Sequence, residues 1–331
     1  MRAFNVTKSD EGQTIIKYVS KLLSQAPMSV IHKALRKKNI DLNKKKASGK
    51  EIVKAGDTVQ IWFSDETFDK FLASAQRHSS KSKSRDISKK ELNDFKKAII
   101  YEDDNVLLVN KWPGILSQQD DSEGNSLNDI LLEYLSEMSK LRTVKPSICN
   151  RLDRNTSGIV VCGKTTKGLQ AMNDIIKDRS IHKYYRCLVY GKLTGEDALT
   201  AFLKKDSKTN KVSILDKDAE NAFPIETRYR AISNFEINGE SVSYLEVLLV
   251  TGRPHQIRAH LASIGHPLLG DTKYGNRESI SLSEKLSIKR QMLHAYSLTF
   301  PKLKGELAVL SDKKIEAALP RDIESVLKLR R

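Results

Sequence analysis

The chain has 331 residues with 57 Lys and Arg against 41 Asp and Glu, a net charge of +16, and 39% hydrophobic residues. That composition is globular and long enough for about two ordinary domains, and no run of about 18 apolar residues is present to span a membrane. Lys8 and Asp10 stand where a secretory signal would place its apolar core, and Cys149, Cys162 and Cys187 form no C-x-x-C pair, so a disulfide framework or zinc ribbon is excluded and a cytoplasmic location is expected.

The charge is uneven. Residues 1–63 hold 13 Lys and Arg against 5 Asp and Glu, a net of +8, which is half of the excess in under a fifth of the chain. Grouped positive charge of this kind attracts a polyanion by displacing its counterions. Apolar residues 15, 18, 19, 22 and 23 predict a helix over 14–24. A second helix over 28–38 follows, with Val30, Ile31, Ala34 and Leu35 inward and Asn39 in the left-handed closing position. Ile40–Asn43 and the alternation of Val59, Ile61 and Phe63 predict strands around a lysine turn. Lys33, Arg36, Lys37, Lys38, Lys44, Lys45 and Lys46 make this first unit, residues 1–64, a candidate nucleic-acid-binding surface. Residues 65–97 are expected to be a basic linker, because His78–Arg85 contains no apolar residue.

From 98 to 331 the chain is richly patterned and is expected to form a second, larger domain. Strands are predicted at 99–101, 106–109, 159–162, 183–190, 242–250 and 292–300, and helices at 126–135 and around Leu169–Ile176. Pro254 is expected to open a helix that ends at Gly265. Strands in uneven order with few helices indicate an α+β fold. Three segments carry chemistry. Asn150-Arg-Leu-Asp-Arg-Asn-Thr-Ser-Gly158 is a loop between apolar strands, and its single carboxylate, Asp153, is flanked by Arg151 and Arg154. Asp153 reads either as a turn cap on the backbone near Thr156 or as a reactive group. Thr251-Gly-Arg-Pro-His-Gln-Ile-Arg258 turns from a strand into a helix, which Ile257, Leu261 and Ile264 anchor and on which Arg258 can point inward. The five-residue spacing of His255 and His260, with no carboxylates nearby, argues against a metal site. Lys183-Tyr-Tyr185 opens a strand whose alternation puts Tyr185 with Cys187 and Val189.

These motifs, with Gly265-His-Pro-Leu-Leu-Gly-Asp271, Lys273-Tyr-Gly275 and Val109-Asn-Lys-Trp-Pro-Gly114, resemble the ordered blocks of the RluA-type pseudouridine synthases over about residues 98–300. Residues 1–64 resemble an S4 RNA-binding domain. The resemblance implies an isomerase that converts uridine in RNA to pseudouridine without cofactor or metal. It implies Asp153 as nucleophile, Arg258 as its partner, and Tyr185 stacked on the base or handling a proton. Attack at C1′, attack at C6 and deprotonation at C2′ remain alternatives. Asn150, Arg151, Arg154, Lys183, His255, Gln256 and Ile257 are the expected substrate contacts. A mixed, largely antiparallel sheet, a ribosomal substrate (23S RNA or a pre-50S particle) and a monomeric chain are expected. The alternatives are a non-catalytic ribosome-assembly protein and a synthase acting on transfer RNA.

Overall fold

The computed structural model describes residues 1–8, 10–71, 86–120, 122–136, 146–206 and 209–329. In the N-terminal unit, strands β1 (Arg2–Asn5), β2 (Ile40–Leu42), β3 (Lys45–Lys46) and β4 (Thr58–Ile61) form an antiparallel sheet in the order β1-β4-β2-β3. Helices α1 (Ile15–Leu22) and α2 (Met28–Arg36) bring Ile15, Tyr18, Val19, Ile31, Ala34 and Leu35 into one core with Val59 and Ile61. The helical period of the first two segments therefore reports their buried stripe. The left-handed residue after α2 is Lys38 (φ 58°) rather than Asn39, and the Asn39 N–H bonds back to the Ala34 carbonyl.

The stretch expected to be a linker is helical at both ends. Helix α3 (Asp65–Phe71) places Phe68 in the N-terminal core, and α4 (Lys89–Ala98) places Phe95 in the catalytic core. Phe68 and Phe71, and likewise Leu92 and Phe95, are spaced three apart, which suits one helix face. Ser88 and Glu91 cap α4 reciprocally. The polar run His78–Arg85 lies outside the described residues.

The larger unit is built on an 11-stranded sheet. Its strands are β5 (Ile99–Glu102), β6 (Val106–Lys111), β7 (Ser147–Ile148), β8 (Ser157–Gly163), β9 (His182–Tyr190), β10 (Glu196–Asp206), β11 (Lys211–Leu215), β12 (Ala222–Ile237), β13 (Glu240–Leu249), β14 (Leu293–Thr299) and β15 (Lys314–Glu316). The main path runs β11-β10-β12-β13-β9-β14-β8-β6-β5, with β15 beside β14 and β7 beside β8; the β14–β8 pair is parallel and the others antiparallel. Helices α5 (Leu127–Tyr134), α6 (Thr166–Lys177), α7 (Gln256–Ser263), α8 (Arg277–Lys285) and α9 (Arg321–Leu327) cover it. The fold is α+β, and among the described residues no helix is long and apolar enough to cross a membrane.

Strand β8 is buried on both faces, which explains its unbroken apolar run. Val160 and Cys162 face a core shared with Phe95, Leu131, Tyr185, Cys187, Ile257 and Leu261, whereas Ile159 and Val161 face Met172 of α6. Alternation thus sets Tyr185 on the sheet face that carries α7 and Leu152, the residue before Asp153. Gly158 sits at φ +115°, and a Cβ there would lie 2.2 Å from the Ala295 carbonyl oxygen. Only glycine lets β8 and β14 close at this point, immediately after the Asp153 loop.

His294 on β14 is fully buried, with Ser157 Oγ 2.9 Å from Nδ1 and the Ala317 carbonyl 3.4 Å from Nε2. Burial pushes the ring down from 6.5 to about 4, and the Ala317 carbonyl pulls weakly the other way. Between those values the unfolded chain binds a proton that the folded chain refuses, so stability falls as pH drops through the window, by roughly 3 kcal/mol for this ring. His260, buried against Thr227, is shifted in the same direction. Urea midpoints measured from pH 7 to pH 4 should drop less steeply in His294→Gln than in the parent; an identical slope would show that another group drives the acid sensitivity.

Candidate active site

Asp153 lies in the loop between β7 and β8, and that loop is fastened through its backbone. Ser117 Oγ accepts from the Leu152 N–H at 2.9 Å and donates to the Leu152 carbonyl at 2.8 Å. The Arg154 carbonyl accepts from Gly114 N at 2.9 Å and from Lys111 Nζ at 3.0 Å. The Asn155 carbonyl accepts from Arg290 Nη1 at 3.0 Å, and Gln291 Nε2 donates to Thr156 Oγ1 at 3.3 Å. Thr156 N–H bonds to the Asp153 carbonyl, so the turn closes through the backbone and the carboxylate is left for another partner. The turn-cap reading of Asp153 therefore gives way.

That partner is Arg258. Its Nη1 donates to Asp153 Oδ2 at 2.8 Å, while Nε and Nη2 form a fork onto Asp271 at 2.7 and 2.9 Å. Asp271 is fully buried, whereas the Asp153 side chain is 28% exposed and can be reached from outside. Burial opposes the charge on Arg258, but Asp271 and then Asp153 outweigh it and hold the guanidinium firmly protonated. A planar group gripped along one edge presents its remaining N–H in a fixed direction. Helix α7 carries Arg258, and Ile257 and Leu261 bury it; Ile264, expected to anchor the same face, is exposed.

The helix does not open at Pro254. His255 precedes it in the left-handed region (φ 52°), with Nδ1 2.9 Å from the Tyr274 hydroxyl and Nε2 4.0 Å from Asp153 Oδ2. Burial lowers the pKa of His255, against the pull of Asp153. Tyr185 is buried in the main core, and burial together with the charge of Asp153 raises its pKa, so it stays a neutral phenol.

The expected substrate contacts divide. Arg151 is exposed beside Asp153. Arg154 is exposed and donates to Ser122 Oγ at 2.6 Å. Lys183 is half-buried, and burial lowers its pKa. Asn150 instead clamps β8, donating to the Ile159 carbonyl and accepting from Val161 N–H. Gln256 is also internal: its carbonyl accepts from Thr251 Oγ1 and Arg253 N–H, and its amide donates to the Glu226 carbonyl and Thr227 Oγ1. Ile257 is core. A hydrogen-bonding side chain beside a motif reads as a ligand contact in sequence, but here neighbouring backbone groups and threonine hydroxyls engage it. In the N-terminal unit Lys33, Arg36, Lys37, Lys38, Lys44 and Lys45 are exposed, and Lys46 pairs with Asp41 at 3.2 Å.

Three supporting residues carry no role in the sequence reading. Asp271 is one. Lys111, buried on β6, donates to the carbonyls of Trp112, Ile115 and Arg154, and burial pushes it down to about 7 against the pull of Asp153. Arg290 forks onto Asp322 of α9 at 2.6 and 2.8 Å while its Nη1 holds the Asp153 loop. Lys111 and Asp271 stand inside quoted motifs, which is the signal that could have marked them.

The profile of the RNA pseudouridylate synthase family matches residues 105–263. An uncharacterized RNA pseudouridine synthase of Mycoplasma genitalium is 33% identical over 305 residues, covering 91% of this chain and 89% of that protein. The ribosomal large subunit pseudouridine synthase C of Rickettsia typhi is 31% identical over 92% of this chain and 93% of its own length. The protein of that name in Vibrio cholerae is 28% identical over 93% and 90%. In structure, human RNA pseudouridylate synthase domain containing 4 shares the fold, with a TM-score of 0.57 and 20% identity over 72% of this chain and 94% of that one. The chain belongs to the RluA-type RNA pseudouridine synthases. Its activity is accordingly the isomerisation of uridine within RNA.

Proposed function

We propose that this enzyme modifies uridines of large-subunit ribosomal RNA, with Asp153 as nucleophile, Arg258 as the group that orients it and Tyr185 as the aromatic partner of the target base. The observation that carries this reading is the ion pair of a reachable Asp153 with an Arg258 fixed from behind by buried Asp271. Asp153 forms a transient bond as the N1–C1′ bond breaks and is released again as C5 joins C1′; the base turns in between, C5 loses its proton and N1 gains one, so atoms balance without a co-reactant. A guanidinium 2.8 Å away favours the charged carboxylate that such an attack requires. Extracting the base costs a few kcal/mol. In this reading exposed Arg151 fills the gap left in the RNA and Tyr185 receives the base. The ribosomal assignment is supported by the names of the Rickettsia and Vibrio relatives, which align over most of both chains.

The N-terminal unit, two helices on a small basic sheet, is read as an S4-like RNA-binding module, and the chain as a cytoplasmic monomer. Mapping pseudouridines in ribosomal RNA from cells with and without the gene tests the substrate; losses confined to transfer RNA would overturn it. Replacing Lys33, Arg36, Lys37 and Lys38 with Gln should weaken RNA affinity and flatten its salt dependence, by roughly 0.7–0.9 in log–log slope per phosphate contact removed. An unchanged slope would assign the phosphate contacts to another surface.

A further inference from the structure

The N-terminal unit carries a feature that phosphate binding does not require. Trp62 directly follows β4 and is 48% exposed. Val59 and Ile61 point into the core, so alternation sends Gln60 and Trp62 to the outer face of the sheet. A lone exposed aromatic is common and needs no explanation. This one is held in place. Its Nε1–H donates at 2.9 Å to Oδ2 of Asp41, a buried carboxylate on the neighbouring strand β2. The other oxygen of Asp41 pairs with Lys46 at 3.2 Å, and Lys46 Nζ stands 5.8 Å from the indole centroid. The backbone N–H of Trp62 bonds to the Asn39 carbonyl, which sets the residue against the basic end of α2, after exposed Lys37 and Lys38. The indole edge is thus engaged while much of the ring meets solvent beside the Lys46 ammonium.

We propose that Trp62 is a base-stacking platform, and that the N-terminal unit there takes an unpaired nucleotide of the substrate RNA, with Lys46, Lys37 and Lys38 beside its phosphates. This rests on the reading of the unit as RNA-binding and deepens it. A duplex offers phosphates to the lysines but keeps its base faces covered, whereas a single strand offers both charge and a free π-face. The Lys46 ammonium beside the ring favours a polyanion over an apolar protein partner, and the fixed ring orientation lowers the cost of ordering on binding.

The test uses the full-length protein with Trp112→Phe, which leaves Trp62 as the sole tryptophan of the two in the chain. Titration with single-stranded oligouridylate should quench its emission to saturation, and a blunt RNA duplex of equal charge should quench it much less. Trp62→Ala should weaken single-strand affinity by about 5- to 100-fold, leave duplex affinity and turnover at saturating RNA unchanged, and be largely rescued by Trp62→Phe. Single-strand binding without quenching, or with equal affinity in Trp62→Ala, overturns the proposal. So does emission that shifts with phosphatidylglycerol vesicles while RNA leaves it unaltered. If the four Gln substitutions in and after α2 also leave RNA affinity intact, the RNA-binding reading of the whole unit fails; if they weaken it and Trp62→Ala does not, stacking alone fails.

Discussion

Asp153→Asn should lower pseudouridine formation by at least about 10⁴-fold, the scale seen when a catalytic nucleophile is removed, while fold and RNA affinity persist. The substitution keeps shape and keeps an oxygen to accept from Arg258 Nη1, 2.8 Å away in the parent. It removes one negative charge, but Arg258 remains neutralised by its fork onto Asp271, so no buried charge is left alone. The loop should hold its conformation, because Ser117, Lys111, Gly114 and Arg290 grip its backbone rather than the carboxylate. Tritium release from uridine labelled at C5 measures turnover, and a thermal melt within about 2 °C of the parent checks the fold. Turnover above a hundredth of the parent value would place the nucleophile elsewhere.

Arg258→Ala should abolish turnover and also destabilise the protein by about 3–5 kcal/mol. From sequence alone this substitution is expected to leave folding largely intact, since Arg258 reads as a group aimed into a site. The structure gives it a second task. Asp271 is fully buried, and the guanidinium fork is the cation that neutralises it. Without that fork a buried carboxylate keeps only the backbone N–H groups of Lys273 and Tyr274 and has no counter-charge. Adding Asp271→Asn to Arg258→Ala should restore a good part of the urea midpoint but none of the activity. If Arg258→Ala alone melts like the parent, water has replaced the fork and the burial argument fails.

How far the sequence speaks depends on how completely an element is buried. Strand β8 is legible because both of its faces are covered, and α1 and α2 because a single stripe is. The strand β10 is not legible. On β10 only Leu203 is buried, and charged residues fall on both faces, so no alternation survives there; β12 does alternate, with Ile225, Thr227, Tyr229, Phe235 and Ile237 inward, and could have been read. The ends of the linker stretch were hidden by the composition around Phe68 and Phe95. At the site, the pairing of Asp153 with Arg258 was expected from motif resemblance and is present in the geometry. The internal saturation of Asn150 and Gln256 was not legible, because residue type does not say whether a backbone group stands opposite. The clamps made by Lys111 and Arg290 act on carbonyls, which every residue has and no sequence pattern marks.

The clamp through Arg290 also has a temporal meaning. Its guanidinium joins the Asn155 carbonyl to Asp322, two points 167 positions apart in the chain. During translation the acid-bearing turn is made long before the carboxylate that completes its brace. In a nascent polypeptide the Asp153 loop therefore lacks this brace until Asp322 and helix α9 have been made.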